Sequence, residues 1–161
     1  MTRAPRPAKF YQSDSYCAQE SVGYLMKRVM MSIVHQVDKR LDVHDLTSAQ
    51  WGPMLRLHTD GRCTVADLAR WAHIDAGAMT RLLDRLEKKN LCKRVRSTED
   101  RRVVLVELTP EGEAAITPVP GVLAEVLNAH LAGFSRTEWQ TLQTYLKRMI
   151  ETGEALRHAG E

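Results

Sequence analysis

The stretch "AGAMTRLLDRLEKKN", residues 76–90, carries two patterns at once. Met79, Leu82, Leu83 and Leu86 recur at helical spacing and make one side apolar. Thr80, Arg81, Asp84, Arg85 and Lys88 lie mostly away from that stripe. A planar guanidinium can pair bidentately with a guanine edge, and a threonine can meet a thymine methyl or a phosphate. Thr80, Arg81 and Arg85 therefore suit a helix that buries one face and offers the other to a major groove. Gly77 and Ala78 are small enough to let a duplex approach the helix start. Asp75 caps that start, and a helix N-terminus suits a phosphate.

A second basic group follows in "STEDRRVVLVELTPEG", residues 97–112. A charged turn leads into a β-prone run, and Thr109 with Pro110 then reads as the N-cap and first residue of another helix. Arg101 and Arg102 at such a tip would reach the adjacent minor groove or its backbone, where a narrow groove favours arginine. Glu99 and Asp100 would repel DNA if free, so Asp100 is read as holding an arginine in place. Arg96, near the tip, and Thr64, capping an earlier helix, are expected to touch the DNA backbone. Either Arg81 or Arg85 could read a base or clamp a phosphate. Charge supports a polyanion partner for the middle of the chain: Thr47–Thr109 has twelve Lys/Arg against eight Asp/Glu, the remainder eleven against twelve.

These side chains need a scaffold, and the sequence predicts one. "ESVGYLMKRVMMSIVHQVDKRL" places Val22, Leu25, Val29, Ile33 and Val37 on one face, widened by Met26, Met30 and Val34. Thr47 with Gln50, Thr64 with Asp67, and Ser135 with Glu138 are capping boxes that open helices. Pro53 removes a hydrogen bond inside the second helix and is expected to kink it. Asn90 stops the helix of residues 76–90. "LCKRVR" and "VVLVEL" pair as a hairpin. Pro118 and Pro120 kink or interrupt the following helix, and "EWQTLQTYLKRMIETGEAL" closes the chain with Trp139, Leu142, Leu146 and Met149 in a stripe. The order is α-α-α-α-β-β-α-α, a mainly α fold with a small β-hairpin wing.

Taken together, "TVADLARWAHIDAGAMTRLLDRLEKKNLCKRVRSTEDRRVVLVELTPEG" resembles the DNA-binding core of the MarR family of bacterial transcription regulators. The family's D-x-R-x-x-x-V-x-L-T pattern stands here as Asp100, Arg102, Val106, Leu108 and Thr109. In element order the resemblance spans residues 20 to 155 or so, and it is most specific from Thr64 to Gly112. It implies a homodimer whose first, fifth and sixth helices intertwine, carrying two winged helix-turn-helix lobes to a pseudo-palindromic site on double-stranded DNA. It further implies that Arg102 enters the minor groove, with Arg101 nearby. Asn90 stands where the family usually has glycine, and the Pro118–Pro120 break is unusual; both lie outside the DNA-facing residues. The wide apolar faces of the terminal helices agree, because one small monomer offers them too little to pack on. The expected organisation is a flexible arm at 1–15, a dimerisation helix at 16–46, the winged lobe at 47–109 and dimerisation helices at 110–161.

Relatives of this kind commonly bind small anionic aromatic compounds, so the resemblance implies an aromatic carboxylate effector that releases DNA. Tyr24, Arg28, Met31 and His35 share a stripe that could hold a carboxylate, with Trp51, Met54 and His58 as an apolar wall and a further polar group. The plainer reading makes Arg28 an ion-pair partner, Trp51 a core residue and the histidines interface groups. A repressor acting by promoter occupancy is the default for this architecture.

Two alternatives stand beside it. Cys17 lies roughly where peroxide-sensing relatives keep a reactive thiol, but "SYCAQESVGY" lacks their surrounding pattern and any adjacent cation to stabilise a thiolate. A winged-helix protein-interaction module is the other, and it would favour an acidic or apolar helix face over Thr80, Arg81 and Arg85. An enzyme is not expected: phosphate-loop, dinucleotide, nucleophile-elbow and zinc-protease motifs are all missing. No cofactor or metal site is expected either, since the histidines and the cysteines Cys17, Cys63 and Cys92 lack ligand spacing. An odd number of cysteines, no signal-like start and no long apolar run read as a cytoplasmic protein without a membrane partner.

Overall fold

The computed structural model describes residues 7–44 and 46–159. Its elements run α1 (Val22–Leu41), α2 (Ser48–Asp60), β1 (Cys63–Thr64), α3 (Val65–Ala72), α4 (Ala76–Lys88), β2 (Cys92–Arg96), β3 (Val104–Leu108), α5 (Pro110–Ile116), α6 (Val119–His130) and α7 (Arg136–Ala159). Short 3-10 turns at Ala18–Glu20 and Asp42–His44 flank α1. The chain forms two compact units: residues 30–127, and the described residues up to 29 with those from 128 onward. No helix among the described residues is long and apolar enough to cross a membrane.

Side chains of the right type, at the right spacing, start the helices. Gln50 Oε1 accepts from the Thr47 backbone N–H at 3.1 Å and opens α2. Thr64 and Asp67 bond reciprocally at α3, Thr109 Oγ1 accepts the Gly112 N–H at 3.0 Å in α5, and Ser135 and Glu138 close the same kind of box at α7. Each satisfies backbone donors that a helix start leaves open. Asn90 takes φ 55°, just beyond the end of α4, where asparagine tolerates the left-handed region. Pro118 and Pro120 supply no N–H to the carbonyls four residues back, so the expected fifth helix is two: α5 ends at Ile116 and α6 begins at Val119.

The unit of residues 30–127 contains one core. Leu41, Met54, Leu68, Met79, Leu83, Leu86, Val106 and Ile116 are fully buried in it, drawn from α1 to α5 and from β3. The sheet has three strands in the order β1-β3-β2, all antiparallel, where the sequence predicted only the hairpin. β1 pairs Cys63 with Val106 and Thr64 with Leu105, and β2 pairs Arg94 with Val106 on the other side of β3. Glu107 projects from β3 to ion pairs with both Arg62 and Lys93, and the Lys93 bond holds its carboxyl below the usual range.

The other unit is built from α7, the start of α1 and the end of α6. The apolar residues of its helices stay largely exposed, among them Val22, Leu25, Val29, Leu142, Tyr145, Met149 and Ile150. The first six positions of the expected arm lie outside the described residues. Residues 7–15 are exposed, yet Tyr11 is tied down: its hydroxyl accepts the Val22 N–H at 3.0 Å, and its ring meets Tyr16 edge-on.

Candidate nucleic-acid interface

α3 and α4 form a helix-turn-helix. His73 ends α3 at φ 53°, a left-handed position that an imidazole occupies more readily than most side chains. The chain then turns through Ile74 to Asp75, whose Oδ1 accepts the Ala78 N–H at 2.8 Å. Leu82, Leu83, Leu86 and Met79 bury one face of α4, and Thr80, Arg81 and Arg85 are exposed on the other. Neither Arg81 nor Arg85 is ion-paired among the described residues. Gly77 explains where Arg81 rests: a Cβ there would stand 3.1 Å from Asp75 Oδ1 and 3.5 Å from Arg81 Nη1. The missing side chain makes room for the cap and the guanidinium, beyond any approach of DNA. Thr80 Oγ1 donates to Ala76 O at 2.8 Å, so it offers a partner its methyl and lone pairs, not a proton.

The wing is the β2–β3 hairpin. Its tip is closed by Ser97 N–H to Val103 O and Val103 N–H to Asp100 O, both 2.9 Å. Asp100 takes Arg102 in a fork: Nε and Nη2 each donate at 3.1 Å, and the Arg102 backbone N–H adds a third bond at 2.9 Å. The Arg102 side-chain bonds hold the Asp100 carboxyl below its ordinary range, so the clasp stays ionised at neutral pH. Arg102 nonetheless remains 91 % exposed, an oriented cation at the tip. Arg96 donates to Arg101 O at 3.3 Å, bracing the tip, and Arg101 is exposed.

Thr64 is engaged in the cap of α3. Its hydroxyl donates to Asp67 Oδ2 at 2.7 Å and accepts from the Asp67 N–H at 3.1 Å. Both capacities serve the cap, so Thr64 positions α3 and has no free proton for a phosphate. Arg94 is a residue that no local motif announces. From β2 it reaches Asp84 at 2.9 Å and Glu87 on α4, and Glu87 also accepts the Arg94 backbone N–H at 2.9 Å.

Residues 46–104, the stretch from α2 to the start of β3, match the model of the MarR family. The multiple antibiotic resistance protein MarR of Salmonella typhimurium is 32 % identical over 139 residues, 86 % of this chain and 96 % of that protein. The chain belongs to the MarR family. Two solved structures resemble this chain over about four fifths of its length. A mutant MarR of E. coli complexed with operator DNA has a TM-score of 0.73 at 27 % identity, over 80 % of this chain and 92 % of that one. BpsR of Bordetella bronchiseptica, from a structure on regulation of its DNA binding by 6-hydroxynicotinic acid, has a TM-score of 0.74 at 26 % identity, over 83 % and 96 %.

In this MarR-family chain the residues expected around an effector fall in both units. Tyr24 and Arg28 pair with each other, Nη1 to hydroxyl at 3.2 Å, in the unit that holds residues up to 29. The rest belong to the other unit. Met54 is fully buried in the core cluster of that unit. His58 is bound to Glu113 of α5 at 2.6 Å, Met31 and His35 are exposed, and Trp51 is half-buried with an indole N–H that meets no partner among the described residues. A groove the sequence did not reveal opens between α2, α3 and α4, about 530 Å³, lined by Gly52, Trp71, Ile74, Ala78, Leu82 and Arg85 among others.

The cysteines differ in environment. Cys17 is exposed, its thiol 3.5 Å from Gln19 Oε1. Burial pushes the Cys63 thiol up, and burial with the nearby Glu87 carboxylate pushes Cys92 up to about 11. A raised pKa removes thiolate, the reactive form, at neutral pH. Ellman's reagent at about pH 8 should therefore label Cys17 rapidly and reach Cys63 and Cys92 only after denaturation. Fast labelling of all three in the native protein would contradict this assignment.

Proposed function

We propose that this chain is a ligand-responsive transcription regulator that binds a pseudo-palindromic duplex site as a homodimer and represses by occupying it. The observation that carries the reading is the set of guanidiniums on one lobe: Arg81 and Arg85 unpaired on the free face of α4, and Arg102 held outward at the wing tip by Asp100. A major-groove helix and a minor-groove arginine need that arrangement. The solved E. coli relative in complex with operator DNA supports the same use of the fold. The homodimer is supported by the exposed stripe of Leu142, Tyr145, Met149 and Ile150 on α7, which a second copy would cover.

The effector is a small aromatic carboxylate. The groove between α2, α3 and α4 favours it, with apolar Trp71, Ile74 and Leu82 as a wall and the unpaired Arg85 to meet an anion. Because Arg85 also belongs to the DNA-facing side, an anion held there competes with DNA for it. BpsR, whose DNA binding is regulated by 6-hydroxynicotinic acid, is a relative with a ligand of this class. Calorimetry with salicylate-like and hydroxylated aromatic acids tests the idea; absence of binding heat at millimolar concentrations refutes it.

The DNA reading is tested by fluorescence anisotropy on duplexes recovered by random-site selection and on the gene's own upstream region, at several salt concentrations. Sequence-preferring binding is expected, with log K falling against log salt by about 0.9 per phosphate neutralised. Binding no tighter than to random duplex in both series would favour a protein-interaction module instead.

A further inference from the structure

Arg94 is basic, stands on the wing's first strand and neighbours the recognition helix, so its charge alone would place it among DNA contacts. Its geometry places it elsewhere. Its side chain is only 26 % exposed, against 91 % for Arg102. The guanidinium donates inward: to Asp84 Oδ1 at 2.9 Å, to the Glu87 carboxylate, and to the Thr80 backbone carbonyl at 3.4 Å. Thr80, Asp84 and Glu87 form one helical stripe of α4, the side turned to β2. Glu87 also accepts the Arg94 backbone N–H, so the strand itself is tied to the helix and not only its side chain.

Thr80 directly precedes Arg81, and Asp84 directly precedes Arg85. Whatever fixes the stripe of Thr80, Asp84 and Glu87 fixes the roll of α4, and with it where Arg81 and Arg85 point. The same contacts set one positive charge against two carboxylates of the helix that carries Arg81 and Arg85. A lysine cannot replace this clasp, because one ammonium lacks the planar fork that serves acceptors on both sides. We infer that Arg94 is the positioning residue of the interface: it sets the recognition helix against the wing through Asp84 and Glu87 and does not touch DNA. This inference rests on the DNA-binding reading above.

A mutant cycle on the full-length protein tests it. The readout is the ratio of affinity for a selected duplex to affinity for random duplex, because a phosphate contact weakens all sequences alike whereas a displaced recognition helix loses preference. Arg94→Ala is expected to lower that ratio about tenfold, and the double substitution Asp84→Asn/Glu87→Gln by a similar amount. Adding Arg94→Ala to the double substitution is expected to change the ratio by less than about twofold, since its partners are already gone. Arg94→Lys, which keeps the charge, is expected to lower the ratio with an unchanged melting curve, and this arm holds even if Arg94→Ala destabilises the lobe. Equal losses from Arg94→Ala in both backgrounds, or full retention of preference by Arg94→Lys, overturn the inference while leaving the DNA reading intact. A wild type that prefers no selected duplex overturns that reading and this inference with it.

Discussion

Arg102→Ala should remove most sequence preference while leaving the fold unchanged. The side chain is almost fully exposed and among the described residues it pairs with Asp100 alone, so its loss opens no cavity and strands no buried group. An arginine at a groove is worth about 1–3 kcal/mol, and a dimer presents two, which corresponds to a loss of roughly 30-fold or more in affinity for the selected site. Anisotropy with wild type and variant side by side measures it. Asp100→Asn tests the orientation separately, because it keeps the cation and weakens the fork. Its loss should be smaller than that of Arg102→Ala. If Arg102→Ala binds the selected site within twofold of wild type, the wing does not read DNA.

Gly112→Ala is expected to have the largest effect on stability. A Cβ at Gly112 would lie 1.9 Å from the backbone oxygen of Leu91 and 2.9 Å from its carbonyl carbon. Backbone cannot rotate aside as a flexible side chain can, so α5 must move. That movement also strains the bond from the Thr109 N–H to Leu91 O at 3.2 Å and from Thr109 Oγ1 to Asn90 O at 2.5 Å. These contacts fasten the start of α5 to the turn between α4 and β2. Overpacking against backbone costs about 3 kcal/mol, which in a chain of this size lowers the melting temperature by roughly 10 °C. A thermal melt of Gly112→Ala within 2 °C of wild type would show that the close approach is not required.

How much of this was legible in the sequence depended on the range of the interactions. The caps at Thr64, Asp75, Thr109 and Ser135 are local, each satisfied within three residues, so residue type and spacing were enough. The buried stripe of α4 follows from periodicity in the same way. β1 was missed because two residues carry no pattern, and their pairing with Val106 and Leu105 comes from far along the chain. Gly112 looked like the end of a motif; its reason, the Leu91 carbonyl, is visible only once the fold has brought the two together. Helical spacing places Met54 near Trp51 and His58 without revealing that its side chain is fully buried. Arg94 is a basic residue in a basic region, and only the fold shows its charge directed inward.

The short strand β1 has a mechanical consequence. It fixes the base of β3 from one side while β2 holds it from the other, and Glu107 braces both flanks through Arg62 and Lys93. The wing is thus a cantilever with a clamped root, whose compliant part is confined to the stretch beyond the last cross-strand pair, Arg96 with Val104. Thermal motion can swing Arg102 at its end without rotating the helix at its root. Amide exchange along the chain should record that division as slow hydrogens at Leu105 and Val106 and fast ones between Thr98 and Arg102.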